Sequence, residues 1–415
     1  MRISISSPVR KSAFLGGSIA VAVLAWALCW QSLAEYLITR SGTLEAFQLA
    51  ARIQPLNANH LRVIGVGLIQ GRTQDAIATL EESARINQHV SLTWLELSRA
   101  YGVTGQRDKQ HEAIGMALAT DPKDVDVEWD ASMYLIQNRD VDGALKLLRE
   151  LISNDPSKSV IGMQAAYVAT GGDVSRTLEA IPPTAIARVK FMQWLVDRGD
   201  AAAADKVWPN VTSAAGTLQL RDLGFYIDSL IARQQVNQAK TVWAFLQASD
   251  SNVQHRLEPG NAIVNGDFED NLMNSGLDWR YAKTDGVTVT MDTSTFHSGT
   301  RSLALQFDAN NVSDAGVFEL VPVEPNKRYS MRGFTHSEEL ESANGVRLAV
   351  TDYYSGKPLM MGEEILGSTS WRDTFGEFTT EANSTLVKVS IVRSPSTGRI
   401  RGTLWVDDLH LEPRP

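Results

Sequence analysis

The residues best suited to acid–base chemistry in this chain are two carboxylate pairs, Glu338-Glu339 and Glu363-Glu364. Glycoside hydrolysis needs two acids that face one another across a bond, whereas sequence neighbours of this kind read as solvated loops. Seven histidines are scattered along the chain, and no HExxH, GxSxG or phosphate-cradling Gly-Lys-Ser/Thr pattern occurs. A single cysteine, Cys29, excludes an intrachain disulfide framework, a Cys-rich zinc site and a CxxC redox pair. The expectation is a protein that binds rather than catalyses.

At about 150 residues per domain, 415 residues imply two or three folded units. The composition, 43% hydrophobic and 21% charged, is that of a globular chain. With 39 Lys+Arg against 48 Asp+Glu the net charge is −9, which argues against nucleic acid as a partner, because such binding depends on a net positive field.

Residues 1–12 carry Arg2, Arg10 and Lys11, and Ala13 to Trp30 follows as eighteen residues without a charge. That run is about long enough to cross a hydrocarbon core as one helix, and the basic flank stays cytoplasmic by the positive-inside rule. Residues 13–34 therefore read as a transmembrane signal anchor or a signal peptide. Ser32-Leu33-Ala34 has the small-x-small form of a cleavage site, but the apolar run is long for a cleaved signal, which favours the anchor. The expected location is a bacterial inner membrane, crossed once, with the bulk of the chain periplasmic or extracytoplasmic.

Residues 41–250 repeat with a period of 34. Gly71 and Gly105 are one period apart, Leu80, Ile114 and Leu148 two, and Pro122 and Pro156 close equivalent segments. Each unit reads as two amphipathic helices joined by a polar turn, and such a unit buries its apolar face only by stacking on its neighbours. The stretch 91–124, with Trp94, Leu97, Tyr101, Ile114, Ala117 and Pro122, resembles the tetratricopeptide repeat. Gln110 stands where that family prefers a small residue, so two helices are expected to sit slightly farther apart there. Five or six hairpins are expected, interrupted at Pro182-Pro183, which cannot continue a helix. The resemblance implies a groove that takes a protein partner. Trp94, Trp129, Trp194, Trp208 and Trp243, at helical spacing, read as core.

After a polar linker, 251–260, alternating runs such as Ser302-Leu-Ala-Leu-Gln-Phe and Thr385-Leu-Val-Lys-Val-Ser-Ile-Val argue a β-sandwich over 261–415. The ordered landmarks Asn265-Gly-Asp-Phe-Glu269, Asp278-Trp279, His297-Ser-Gly-Thr-Arg-Ser-Leu303, Pro325-Asn-Lys-Arg-Tyr329, Ser370-Trp371 and Leu404-Trp-Val-Asp-Asp-Leu409 resemble carbohydrate-binding modules of families four and nine. The resemblance implies an antiparallel jelly roll of the galactose-binding-like class. It also implies a structural calcium at Asp267, Glu269, Ser298, Arg301 and Asp407, with Glu269 and Asp407 as side-chain ligands, a mixture of oxygen donors that calcium tolerates. The fold class expected for the whole chain is thus a membrane helix, an α-solenoid of helical hairpins and an all-β C-terminal jelly roll.

A sugar site needs an aromatic plate and polar groups for the hydroxyls. Trp279, Trp371 and Trp405 match positions that are mainly core in those modules. Tyr353 and Tyr354 beside Asp352, with Arg332, His336 and Arg347, are the candidates, and alternation along a strand allows one of the two tyrosines into a groove. The functional expectation is a membrane-tethered exported scaffold for cell-surface polysaccharide assembly or export, binding a protein partner and a polysaccharide. The competing expectation is a purely structural envelope scaffold whose jelly roll has lost its sugar.

Overall fold

The computed structural model describes residues 8–254 and 259–415, so residues 1–7 of the basic flank and 255–258 of the expected linker lie outside the described residues. The chain divides into two compact units, Met1–Pro182 and Pro183–Pro415. The division falls at the adjacent prolines rather than at the change from helix to strand. The last helical hairpins therefore share a unit with the sandwich.

The first unit opens with α1 (Pro8–Arg40), one unbroken helix in which Lys11–Arg40 is apolar enough to cross a membrane. Next come α2 (Leu44–Ile53), α3 (Ala58–Leu68), α4 (Thr73–Ile86), α5 (Ser91–Val103), α6 (Arg107–Thr120), α7 (Val125–Gln137), α8 (Val141–Asn154), α9 (Ser159–Ala169) and the short α10 (Val174–Thr177). Several helices start at capping residues. Asp124 accepts from the amides of Asp126 and Val127, and Asp140 from that of Gly143, satisfying donors that a helix start leaves unpaired. Successive hairpins share apolar layers, as in Ile77, Leu80, Leu97, Ala100 and Tyr101, then Leu95, Ile114, Ala117, Val127 and Ala131. Gln110 lies over Gly102, which offers no side chain to oppose it. Trp94 packs against these layers with its Nε1 donating to the Gln88 carbonyl at 2.9 Å.

In the second unit, α11 (Ala185–Asp197), α12 (Ala201–Thr212), α13 (Leu220–Ala232) and α14 (Val236–Ser249) form two more hairpins ahead of ten strands. These are β1 (Arg280–Tyr281), β2 (Val287–Asp292), β3 (Ser302–Asn310), β4 (Asp314–Pro322), β5 (Arg328–Glu341), β6 (Arg347–Asp352), β7 (Pro358–Met361), β8 (Gly367–Thr379), β9 (Leu386–Val392) and β10 (Ile400–Pro413). They build two antiparallel sheets ordered β1-β4-β9-β6-β7 and β2-β3-β10-β5-β8, an antiparallel sandwich as expected. Alternation fills the space between them: Val317 and Val321 on β4, Val387, Val389 and Ile391 on β9, and Leu404, Val406, Leu409 and Leu411 on β10 share one core with Phe268 and Trp279.

Helices and sandwich are joined by specific contacts. Tyr354 donates its hydroxyl to the Ile231 carbonyl at 2.8 Å, and Arg280 pairs with Asp228 at 2.6 Å. Gly276, at φ +66°, lies so close under the Trp243 ring that a Cβ there would come within 2.6 Å of it. That position requires glycine on both counts.

Candidate functional site

The first helices of the repeats form one layer, since α3 touches α5 and α5 touches α7. On that layer Arg99 of α5 bridges Glu96 at 3.0 Å and Asp130 of α7 at 2.5 Å. From α3 to α10, the exposed large apolar side chains are Val66, Val103, Val160, Ile161 and Val168, all on the first helices of their hairpins. The second helices α4, α6 and α8 turn their apolar side chains inward. The exposed apolar side chains thus sit on the first helices, while the second helices carry ion pairs of their own, Arg72–Asp75, Arg85–Glu82 and Lys109–Glu81.

The sandwich also has two unlike outer faces. On β2-β3-β10-β5-β8 most of the rings are spent on one another, while Phe375 of β8 stays 52% exposed. His297 stacks on Phe334 at 3.6 Å, His336 lies 5.5 Å from Trp371 and 4.9 Å from Trp405, and Trp405 donates to Asp292 at 2.7 Å. A hollow of about 280 Å³ at one end of this face is lined by Arg332, Phe334, Asp373, Asp408, His410 and Glu412.

On β1-β4-β9-β6-β7 the outward residues are Arg280, Phe318, Lys388, Thr351 and Arg347. The Lys388 ammonium sits 4.8 Å over the Phe318 ring and 3.1 Å from Asp314. Arg347 donates to the Gly362 carbonyl at 3.0 Å and stands 3.7 Å from Glu364.

These placements divide the five expected ligand-binding residues. Arg347 belongs to β6, and Tyr353 and Tyr354 follow it, but Arg332 and His336 lie on β5, in the other sheet. The expectation that one face gathers all five is corrected: β5 pairs with β10 and β8, while β6 pairs with β9 and β7, so strands consecutive in the chain change sheets.

The tyrosines sit in the turn after β6, not on the strand, so strand alternation does not set their directions. They meet edge to face at 5.2 Å. Tyr354 is tied to α13, and its hydroxyl is pushed up to about 12 by burial and then by Tyr353 and Asp352. Tyr353 remains 40% exposed. Burial works to raise Asp352, but hydrogen bonds from Ser384 and Ser355 outweigh it and hold the carboxyl below its ordinary range. An ionised carboxylate thus anchors the turn that displays Tyr353. Phe318 and Lys388 were missed as candidates, although the alternation in Leu386-Val-Lys-Val-Ser-Ile already puts Lys388 and Ser390 on the face opposite Val387 and Val389.

The residues expected to hold calcium converge on the loop 297–301, but as a clasp of hydrogen bonds. Glu269 accepts from the Thr300 amide at 2.7 Å, its hydroxyl at 2.6 Å and the Arg301 amide at 3.2 Å. Burial works to raise Glu269, but these donors outweigh it and hold the carboxyl below its ordinary range. Asp407 accepts from the amides of His297 at 2.8 Å and Ser298 at 3.2 Å, while burial pushes its carboxyl up to about 6. Asp267 accepts from the Glu269 amide at 3.5 Å, and Ser298 donates its hydroxyl to Asp408 at 2.8 Å. Arg301 places its guanidinium on the Glu269 carbonyl and on Asn271. Gly299, at φ +64°, passes so close to Glu269 that a Cβ would meet its Oε1 at 2.1 Å. Oxygens turned toward N–H and O–H donors do not make the shell of oxygens that calcium requires. Among the described residues no three His, Cys, Asp or Glu side chains group as a metal cluster.

Comparison with known proteins accords with this architecture. The family model described as a carbohydrate binding domain, of families four and nine, matches residues 260–397. Among solved structures, the chain is similar to MamA at 15% identity, covering 45% of this chain and 89% of that one with a TM-score of 0.31. It is similar to a CBM4 module at 10% identity, covering 37% and 99% with a TM-score of 0.29. It is also similar to TmCBM61, solved in complex with beta-1,4-galactotriose, at 21% identity, covering 37% and 99% with a TM-score of 0.27. No curated protein matches the chain. The family match falls on the jelly roll, and the helical hairpins that precede it are the tetratricopeptide-like units described above.

Proposed function

We propose that this protein is a non-catalytic scaffold, exported and tethered by α1 to a bacterial inner membrane, that holds a protein partner on its repeats and a glycan on its jelly roll during cell-surface polysaccharide assembly or export. The observation that carries the glycan half is Tyr353. Its ring is exposed, its neighbour Tyr354 is pinned by a hydrogen bond to α13, and Asp352 fixes the turn beneath it. A ring held still before the ligand arrives loses little freedom on binding and can stack on the apolar face of a pyranose.

The protein half is supported by the exposed apolar side chains that, from α3 to α10, lie on the first helices, together with the Glu96, Arg99 and Asp130 network. The tether is supported by the continuity of α1. Ala34 is fully buried and Glu35 stands 3.7 Å from the buried His60, so the last turns of α1 pack onto the helices that follow.

Isothermal titration of the full chain with the producing cell's surface polysaccharide tests the glycan half. Binding that Tyr353→Ala weakens about tenfold, or about 1.4 kcal/mol, supports it. No binding by the unaltered protein leaves the purely structural scaffold.

A further inference from the structure

The apolar part of α1 is bare. Phe14, Leu15, Val21, Leu24, Trp26 and Leu28 are all more than half exposed, as side chains destined for lipid are. At 1.5 Å per residue, the eighteen residues from Ala13 to Trp30 extend about 27 Å, which matches one hydrocarbon core. Trp26 and Trp30, 5.9 Å apart, fall at the outer end of this run, the depth at which tryptophan rings collect in membrane proteins.

The helix does not end at the surface. It continues to Arg40, turns at Gly42, and α2 runs back along it. The far end of α2 therefore descends to the level of the tryptophans, and Arg52, Ile53 and Gln54 share with Trp26, Ala27, Trp30 and Gln31 a hollow of about 570 Å³. The turn that follows carries Pro55 and Leu56, and Leu56 is 80% exposed, more than any other large apolar side chain described. Whatever lies beside residues 26–31 lies beside lipid headgroups, because the bilayer in which α1 sits surrounds that stretch.

We propose that the turn between α2 and α3 is a membrane-contact element, with Leu56 inserted among the upper acyl chains and Arg52 paired with lipid phosphate in the outer leaflet of the bilayer that α1 crosses. This rests on the reading of α1 as a retained anchor. The contact adds an apolar and a cationic point to the single helix, the combination by which interfacial segments hold to membranes. A lone span is free to tilt and rotate. A second contact at its exit fixes both and presents the first helices of the repeats in one orientation.

Single cysteines introduced into the full-length Cys29→Ala protein as Val21→Cys, Leu56→Cys and Val103→Cys, each labelled with an environment-sensitive dye, test the proposal in phosphatidylethanolamine–phosphatidylglycerol vesicles containing brominated lipid. Val103 is the reference, being an exposed apolar residue on α5. The expected result is strong quenching at 21, and at 56 a blue shift with at least about twofold more quenching than at 103. Quenching at 21 with position 56 indistinguishable from 103 overturns the proposal and leaves the anchor intact. Absence of quenching at 21 overturns the anchor and the proposal together.

Discussion

The two outer faces of the sandwich carry similar residue types to different ends. On β2-β3-β10-β5-β8, the rings of His297, Phe334, His336, Trp371 and Trp405 meet each other and a few carboxylates, so their stacking surface is already used. On β1-β4-β9-β6-β7 and the turn after β6, the aromatic residues are fewer, and Tyr353 is left open, as Phe375 is on the opposite sheet. The number of aromatic residues on a face is thus a poor guide to binding. What matters is how many keep a ring face open to solvent.

The largest effect that would break this contrast is structural. Trp405 is 7% exposed, bonded to Asp292 and packed against His336, so Trp405→Ala should cost about 3–5 kcal/mol in denaturant unfolding. An unfolding curve close to that of the unaltered protein would mean that this face is a binding platform rather than a self-contained cluster.

Next in size is a charge between the sheets. Glu319 is fully buried on β4, accepts from the Val264 amide at 2.8 Å, and has its carboxyl pushed well above the ordinary 4.5 by burial, countered by that amide and raised again by Asp278. The folded state therefore keeps a proton that the unfolded chain releases, so the stability this group lends is complete below about pH 4.5 and is lost as pH rises toward its folded value. Glu319→Gln retains an acceptor for Val264 and removes the ionisation. Its melting temperature should exceed that of the unaltered protein by more at pH 8 than at pH 5, and an equal difference at both would show that Glu319 is ionised in place.

The third test sharpens the contrast between the two tyrosines. Tyr354→Phe removes one hydrogen bond to Ile231 and should cost about 1 kcal/mol of stability. Tyr353→Ala should change stability by no more than about 0.5 kcal/mol, as expected of a surface position, while carrying the tenfold loss of glycan affinity. The reverse pattern, with Tyr354 governing affinity, would move the site toward α13.

Legibility from sequence followed contact range. The repeats were readable because the partners of Leu80, Ile114 and Leu148 recur one period away, and Pro182-Pro183 marked where the first compact unit ends. The sandwich was readable as alternation, but the assignment of each strand to a sheet was not. Arg332 and Arg347 are fifteen residues apart on successive strands that belong to different sheets. The turn position of Tyr353 and Tyr354 was hidden too, because Asp352 closes the strand through contacts with Ser355 and Ser384 that no spacing rule describes. Register and sheet membership arise from pairings between strands distant in the chain, such as Arg347 with Val392 and Leu303 with Val406.

The smallest expected effect is that of chelation on the clasp. The resemblance to carbohydrate-binding modules assigns Glu269 and Asp407 to calcium, whereas their oxygens here face the amides of residues 297–301. A micromolar site saturated at millimolar calcium would add about 4 kcal/mol to the folded state, because a ligand bound by that state alone stabilises it by mass action. Hydrogen bonds need no such ligand. Chelation of the full chain should therefore leave its melting temperature unchanged, while Glu269→Ala, which orphans the Thr300 and Arg301 amides, should cost about 1–3 kcal/mol. If chelation lowers the melting temperature and added calcium restores it, the carboxylates turn from the amides to the ion, and the loop is held by metal as the resemblance implies.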